Sequence, residues 1–476
     1  MLNVAENRVL YYFNEISKIP RESGNERAVS SWIAEWAKAK GFKTIQDENF
    51  NLIITKPAAT GYEDHEPVIL QAHMDMVCEK TPDSNHDFAR DPIELKVDGD
   101  WFTSACGTSL GADNGIGVAC AMTVLEDCFL KHPLIEAIFT VEEETTFKGA
   151  ETVSPESFIS KRMINLDHAD DSEIIAGSCG GTGVNFTLPL EWEAEVPEGY
   201  EAYKLKVCGL KGGHSGVDID KGRGNAIELL TRVLCSDNAE IKVVSVAGGT
   251  NRLAIPREAE AVILSNNEAS LREHIAEMKT ILRKEYGAIA PQLDITLEKT
   301  TVAAPLKTSE LEKAIRIIRL IPNGIVNMCG AFAGIVESSN NLGMIDISQD
   351  RMFLTTEARG LYQSTVKDIT TRIEMLAQLV GAEVELFGGY LPWEYTEESE
   401  LRKTALKTYR ELFGGEMKEL IVHAGLECGA FVDKEPAMDI IAAGPNCQFF
   451  HSPEERVSIS SIEKFYRFLT ELLKDL

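Results

Sequence analysis

Five separated stretches of this sequence carry side chains suited to holding divalent cations. His73 and Asp75 form a His-x-Asp pair at the end of the apolar run EPVILQAHMDMV. In an extended strand, residues two apart point to the same side. Imidazole is the commonest zinc ligand, and a ligating histidine needs a carboxylate behind it to fix its tautomer, a task that suits Asp75. Asp113 stands in Gly-Ala-Asp-Asn-Gly-Ile-Gly at 111–117, where glycine permits tight turns and close backbone approach. The stretch also reads as a phosphate loop or as a helix cap at Asp113, but no Lys-Ser/Thr follows it and GxGxxG is absent. Glu142, Glu143 and Glu144 end a second apolar run, LIEAIFTVEEE. Adjacent carboxylates are hard to hold together without cations, and hydrolysis at a metal needs a ligand beside a general base. Asp167, followed by His168, closes MINLDH, and His451 lies in FFHSPEE after a Gly-Pro turn. Imidazole and carboxylate ligands without thiolate suit catalytic Zn²⁺, with Co²⁺ or Mn²⁺ as alternatives. Each stretch alone also reads as an ordinary polar turn or a solvated acidic tip; their combination argues for metal.

Positioning these groups requires elements whose tips converge. Up to about residue 185 the chain alternates strand and helix signals: an amphipathic N-terminal helix (Val9, Leu10, Phe13, Ile16, Ile19), a helix in SWIAEWAKAKGF, strands in NLIITKPA, EPVILQAHMDMV, LIEAIFTV and MINLDH, and a helix after LGADNGIG. This predicts an α/β catalytic domain with a mixed sheet, helices on both faces, and chemistry at the strand ends. From 186 to 385 the pattern changes to strands covered on one face, such as YKLKVCGL and IKVVSVAGG, with helices GNAIELLTRVLCS, SLREHIAEMKTILRKEYG and STVKDITTRIEMLAQLVG. The α/β style returns after 386 with MDIIAAGP. The expected domains are therefore 1–185 with 386–476, and an inserted α+β domain over 186–385.

The bulk properties narrow the function class. The chain has 476 residues, a net charge of −28 and 44% hydrophobic residues. A surface this acidic repels phosphate backbones and anionic lipid, arguing against nucleic acid and membranes as partners. No apolar run approaches the roughly 18 residues of a membrane span. The N-terminus lacks a signal-peptide pattern, which argues for a cytoplasmic protein. The ten cysteines show no CxxC pair, as expected of reduced thiols.

Taken together, QAHMDMV, GTSLGADNGIG, TVEEETTFKGA, INLDHAD, GLKGGHSGVDI, AIPREA, HAGLECGAF and GPNCQFFHSPEERVSI run in family order along nearly the whole chain. They resemble the co-catalytic zinc exopeptidases of the aminoacylase and carboxypeptidase G type, and among these most closely the aminoacyl-histidine dipeptidases, also called cytosolic non-specific or β-alanyl-histidine dipeptidases. The resemblance implies two Zn²⁺ per chain, with His73 and Asp167 on one, Glu144 and His451 on the other, and Asp113 bridging. It implies that Asp75 orients His73 and that Glu143 is the general base, acting on a metal-bridged water, with Glu142 supernumerary. The inserted domain would be a lid and homodimerisation domain. Its His214 would reach across the dimer to polarise the scissile carbonyl, and Arg359 would clamp the substrate carboxylate, as a planar guanidinium fits it bidentately. A cis peptide between Asp113 and Asn114 also follows.

Two positions depart from the family pattern. Thr146 replaces a glycine after the glutamates, and Leu253 stands where an asparagine usually precedes Ala-Ile-Pro. The activity implied is hydrolysis of dipeptides, Xaa-His among them, with a free C-terminal carboxylate. A related aminoacylase, tripeptidase or carboxypeptidase, and a non-catalytic binding protein of the same fold, are the alternatives.

Overall fold

The computed structural model describes residues 7–235, 241–301, 305–348 and 350–476. They divide into two compact units, the first from the N-terminus to Ser178 with Trp393–Ile421 and Leu426–Leu476, the second Cys179–Pro392 with Val422–Gly425.

Among the described residues, the first unit is built on an eight-stranded sheet ordered Lys43–Gln46, Leu52–Lys56, Ile135–Thr140, Val68–His73, Arg162–Asn165, Asp439–Ala442, Glu173–Ser178, Lys418–Val422. Its middle is parallel: Val68–His73 pairs with Ile135–Thr140 on one side and with Arg162–Asn165 on the other. Their registers set His73 opposite Thr140 and Gln71 opposite Asn165. Because parallel strands end at the same edge, His73, the glutamates after Thr140 and Asp167 after Asn165 are delivered to one rim. These strands are buried on both faces, which explains their unbroken apolar character. Helix Ala112–Glu126 is buried nearly all round and packs on strand Val68–His73, helix Arg8–Ser17 and the C-terminal helix Ile459–Asp475. Its Ile116 shares one hydrophobic core with Phe13, Phe139, Phe465 and Leu469. A four-stranded sheet joins Cys447–Gln448 and Arg456–Ser458 to Trp101–Ser104 and Leu95–Asp98, and the loop between the first two carries His451.

The second unit is a nine-stranded antiparallel sheet among the described residues, with helices Ala226–Leu234, Glu268–Tyr286, Thr308–Leu320 and Gln363–Val380. The expected boundaries at 185/186 and 385/386 fall inside strands Gly180–Pro189 and Glu383–Tyr390; the division lies after Ser178 and before Trp393. The run GSCGGTG offers no side-chain alternation to mark where the new strand begins. Its longest hairpin, Val336–Ser348 with Arg351–Gly360, is missing from the strands expected above. Ser338, Ser339, Asn340 and Asn341 are all buried, so this strand shows no polar–apolar alternation. The two asparagine side chains hold backbone: Asn340 donates to the Pro322 carbonyl, and Asn341 to those of Arg252 and Ala254.

No helix among the described residues is long and apolar enough to cross a membrane.

Candidate active site

The rim of the first unit gathers the five residues expected to hold metal. Asp113 is the centre: its Oδ1 lies 3.1 Å from His73 Nε2 and its Oδ2 3.3 Å from His451 Nε2. Asp167 Oδ1 is 3.7 Å from the same His73 nitrogen. Glu144 Oε2 is 2.9 Å from His451 Nε2. Donor atoms of His73, Asp113 and Asp167 lie within 4.8 Å of one another, as do those of Asp113, Glu144 and His451, and those of His73, Glu143 and Glu144. His168, next to Asp167, turns instead to Glu173, at 3.4 Å.

Local backbone aims these groups. His73 is buried at the strand tip, with Nδ1 3.3 Å from Asp75 Oδ1. Asp75 also accepts hydrogen bonds from the amides of Glu143 and Glu144, each at 3.1 Å, and from Ser23 Oγ at 2.7 Å. Glu142 takes a left-handed φ of 51°, turning the chain out of strand Ile135–Thr140 and into the turn of helix Glu143–Thr146. Thr146 lies at the end of that turn, where a left-handed φ falls on Phe147 and not on Thr146, so the missing glycine is not needed there. Gly111, not Asp113, caps the following helix, and the Asp113–Asn114 peptide is cis, as the resemblance implied.

The charge balance points to cations. Burial, joined by repulsion from Glu144, Asp167 and Glu427, pushes the Glu143 carboxyl well up. Burial and Asp113 push Glu144 up to about 7, and the same two causes raise Asp167. Burial works against Asp113 as well, but hydrogen bonds with His451 and His73 hold it below the ordinary range. Several buried carboxyls around two imidazoles are thus at odds with their own charge, and divalent cations would resolve the conflict. The donor set, imidazole and carboxylate without thiolate, fits hydrolytic metals.

Three supporting residues are absent from the expected site. Arg21, buried at the end of the N-terminal helical region, donates to the carbonyls of Met74, Asp75 and Gly111. Glu455 accepts from four consecutive amides, those of Leu110, Gly111, Ala112 and Asp113. Glu427 accepts from Gln71 Nε2 at 2.5 Å and Thr140 Oγ1 at 2.7 Å, beneath the strand tips. Glu455 and Glu427 lie inside HSPEER and HAGLECG, so the motifs were visible although these contacts were not. Arg21 carries no local signal.

The second unit holds the remaining expected residues. His214 lies on the short strand Gly213–His214, paired with Ala254–Ile255. Its Nδ1 accepts from the amides of Gly216 and Val217, which leaves the proton of a neutral ring on Nε2. Leu253 supports this loop through its backbone, its carbonyl accepting from the Ser215 amide at 2.8 Å. Arg359 is buried and donates to Tyr390 Oη, Ser215 Oγ and Cys179 Sγ. These hydrogen-bond partners are uncharged in their ordinary protonation states, and the nearby buried carboxylate of Glu357 is ion-paired with Arg252, so the guanidinium keeps the capacity to pair with a further carboxylate.

Comparison with known proteins places the chain in a family. The description "Peptidase family M20/M25/M40" matches residues 69–475. The chain is 37% identical over 469 residues to the cytosol non-specific dipeptidase of Escherichia coli (strain K12), covering 98% of this chain and 96% of that one. It superposes on the crystal structure of aminoacylhistidine dipeptidase from Vibrio alginolyticus with a TM-score of 0.86 and 34% identity, over 99% of this chain and 97% of that one. The aminopeptidase PepT of Bacillus cereus shares the fold, with a TM-score of 0.57 and 16% identity over 99% of this chain and 98% of that one. The chain belongs to peptidase family M20/M25/M40.

Proposed function

We propose that this chain is a metal-dependent dipeptidase that cleaves dipeptides bearing a free C-terminal carboxylate, Xaa-His among them. The observation that carries the reading is the placement of one carboxylate, Asp113, between two histidines that face its opposite oxygens. That is the arrangement required of a bridging ligand. His73 and Asp167 would hold one cation and Glu144 and His451 the other; zinc suits these donors, as do cobalt and manganese.

When bound there, the cations would supply a water of lowered pKa and polarisation of the scissile carbonyl. The chain's own groups do the rest. Glu143 takes the proton of the attacking water and returns it to the leaving amine. Asp75 keeps His73 in the Nδ1–H tautomer, leaving Nε2 to bind metal, and fixes the backbone of Glu143. Arg359 binds the substrate carboxylate, which selects short peptides with a free C-terminus. His214 donates from Nε2 to the carbonyl oxygen as negative charge develops. In this reading the second unit serves as lid and dimerisation domain, the enzyme is a cytoplasmic homodimer, and His214 acts on the site of the partner subunit. The description of the Escherichia coli relative as a cytosol dipeptidase supports the compartment and the substrate class.

A substrate panel tests the proposal: β-alanyl-histidine, other dipeptides, tripeptides and N-acyl amino acids, assayed on zinc-loaded protein. Dipeptides are expected to be cleaved with the highest kcat/KM. Preference for tripeptides or N-acyl amino acids would overturn the substrate class.

A further inference from the structure

Glu455 is 2% exposed, and its carboxylate is spent entirely on backbone. Oε2 accepts from the Leu110 amide at 2.6 Å and the Gly111 amide at 2.9 Å. Oε1 accepts from the Ala112 amide at 2.8 Å and the Asp113 amide at 3.3 Å. Four amide donors converge on one buried anion, and the last of them belongs to the central carboxylate residue itself. From the other side Arg21 takes the Gly111 carbonyl and joins it to the carbonyls of Met74 and Asp75. Gly111 has φ +69°, and a Cβ there would stand 2.4 Å from Arg21 Nη2, so the grip requires glycine.

Glu455 also lies four residues after His451. That histidine is differently placed from His73. His73 is buried in a strand tip, with Asp75 behind it. The His451 side chain is 44% exposed, and the residue itself holds a left-handed φ of 59°, as Phe449 does at 55°. Such backbone persists only where the surroundings determine it. The anchors are the Glu455 amide bonded to the Ser452 carbonyl, strand Arg456–Ser458, and the Glu455 side chain on the 110–113 loop.

We propose that Glu455 is a positioning residue that locks the His451 loop to the Asp113 loop, and thereby sets the affinity of the cation held by Asp113, Glu144 and His451. This rests on the two-cation reading above. Two of the three donors of that cation ride on segments joined by Glu455. For the other cation, His73 ends one strand of the central sheet, Asp167 follows another, and only Asp113 depends on Glu455. Loss of the carboxylate therefore weakens one site selectively. In Glu455→Gln an amide N–H₂ faces backbone N–H groups, so two of the four donors lose their acceptor.

The test is a Co²⁺ titration of chelator-stripped full-length protein, followed by calorimetry and by the cobalt absorption spectrum, with thermal melting of the metal-free forms alongside. Wild type should bind two ions. Glu455→Gln should bind the first ion within about 3-fold of wild type and the second at least about 10-fold more weakly, the size expected for loss of a group that orients ligands. Asp439→Asn is the control for a general loss of stability, because Asp439 likewise anchors a helix start, accepting from Ser399 Oγ and from the Leu401 amide, away from the His451 loop. It should lower the melting temperature and leave both cobalt affinities unchanged. If Glu455→Gln does not fold, Glu455→Asp, which keeps the charge but withdraws it by one methylene, is read in the same way. Equal weakening of both sites, unchanged binding of both, or the same selective loss in Asp439→Asn would overturn the inference while leaving the two-cation reading intact. Wild type binding fewer than two ions would overturn the reading, and the inference with it.

Discussion

The carboxylate of Asp75 accepts the backbone amide of Glu143 at 3.1 Å, so the residue behind the first histidine also fixes the start of the glutamate turn. This separates two kinds of damage. Glu143→Ala should retain both metals while kcat falls by at least about 10³-fold, because only the proton-transfer group is lost. Asp75→Asn should lose activity together with roughly 10- to 100-fold in metal affinity, because the same carboxylate also faces His73 Nδ1. Metal analysis and steady-state kinetics on the same samples check both. A tenth of wild-type activity in Glu143→Ala would remove Glu143 from the role of base.

Arg359 is buried among Tyr390, Ser215 and Cys179. A carboxylate that pairs with it gains a charged hydrogen bond worth about 1.5–3 kcal/mol. Arg359→Met should therefore lower kcat/KM for free dipeptides by roughly 10- to 100-fold and leave C-terminally amidated dipeptides nearly unaffected. Equal losses on both substrates would show that Arg359 supports the fold and not the substrate.

If His214 serves the partner subunit, two dead variants can complement each other. Mixing His214→Ala with Glu143→Ala under conditions of subunit exchange should restore part of the activity, because some hybrid dimers carry one intact site. Failure to recover activity after exchange is verified by mass spectrometry of labelled subunits would contradict a shared site.

His423 supplies a pH-dependent term in stability. Burial, with the nearby Arg359 charge, pushes its pKa down to about 3, and Nε2 lies 2.7 Å from Ser339 Oγ. An unfolded histidine titrates near 6.5. Above that pH both states are neutral and the residue contributes no pH dependence. Between about 6.5 and 3 the unfolded chain binds a proton that the folded chain does not, so stability falls as pH falls. From pH 7 to 5 the loss from this residue is up to about 2 kcal/mol. Urea unfolding at the two pH values should show a smaller drop for His423→Gln than for wild type; identical drops would remove His423 as a source.

The sequence made the α/β character and the metal-binding candidates legible because buried parallel strands read as apolar runs and their polar tips stand out. Val68–His73 and Ile135–Thr140 are of this kind. The hairpin of Val336–Ser348 was hidden because its buried residues include serines, and asparagines bonded to distant backbone. Arg21 and Glu455 were hidden for a related reason: their partners are main-chain groups 53 to 90 and about 340 residues away, and a backbone carbonyl or amide leaves no mark in residue type. His214 and Arg359 lie on the second unit, where glycine-rich loops and a strand interior gave little local signal beyond the motifs around them.

The central claim is that five side chains hold a pair of divalent ions about Asp113. Anomalous diffraction at the zinc edge from crystals of zinc-loaded protein tests it most directly. Two peaks are expected, roughly 3.5–4 Å apart, one beside His73 and Asp167 and the other beside Glu144 and His451, with Asp113 between. A single peak, or two peaks that do not share Asp113, would contradict the account.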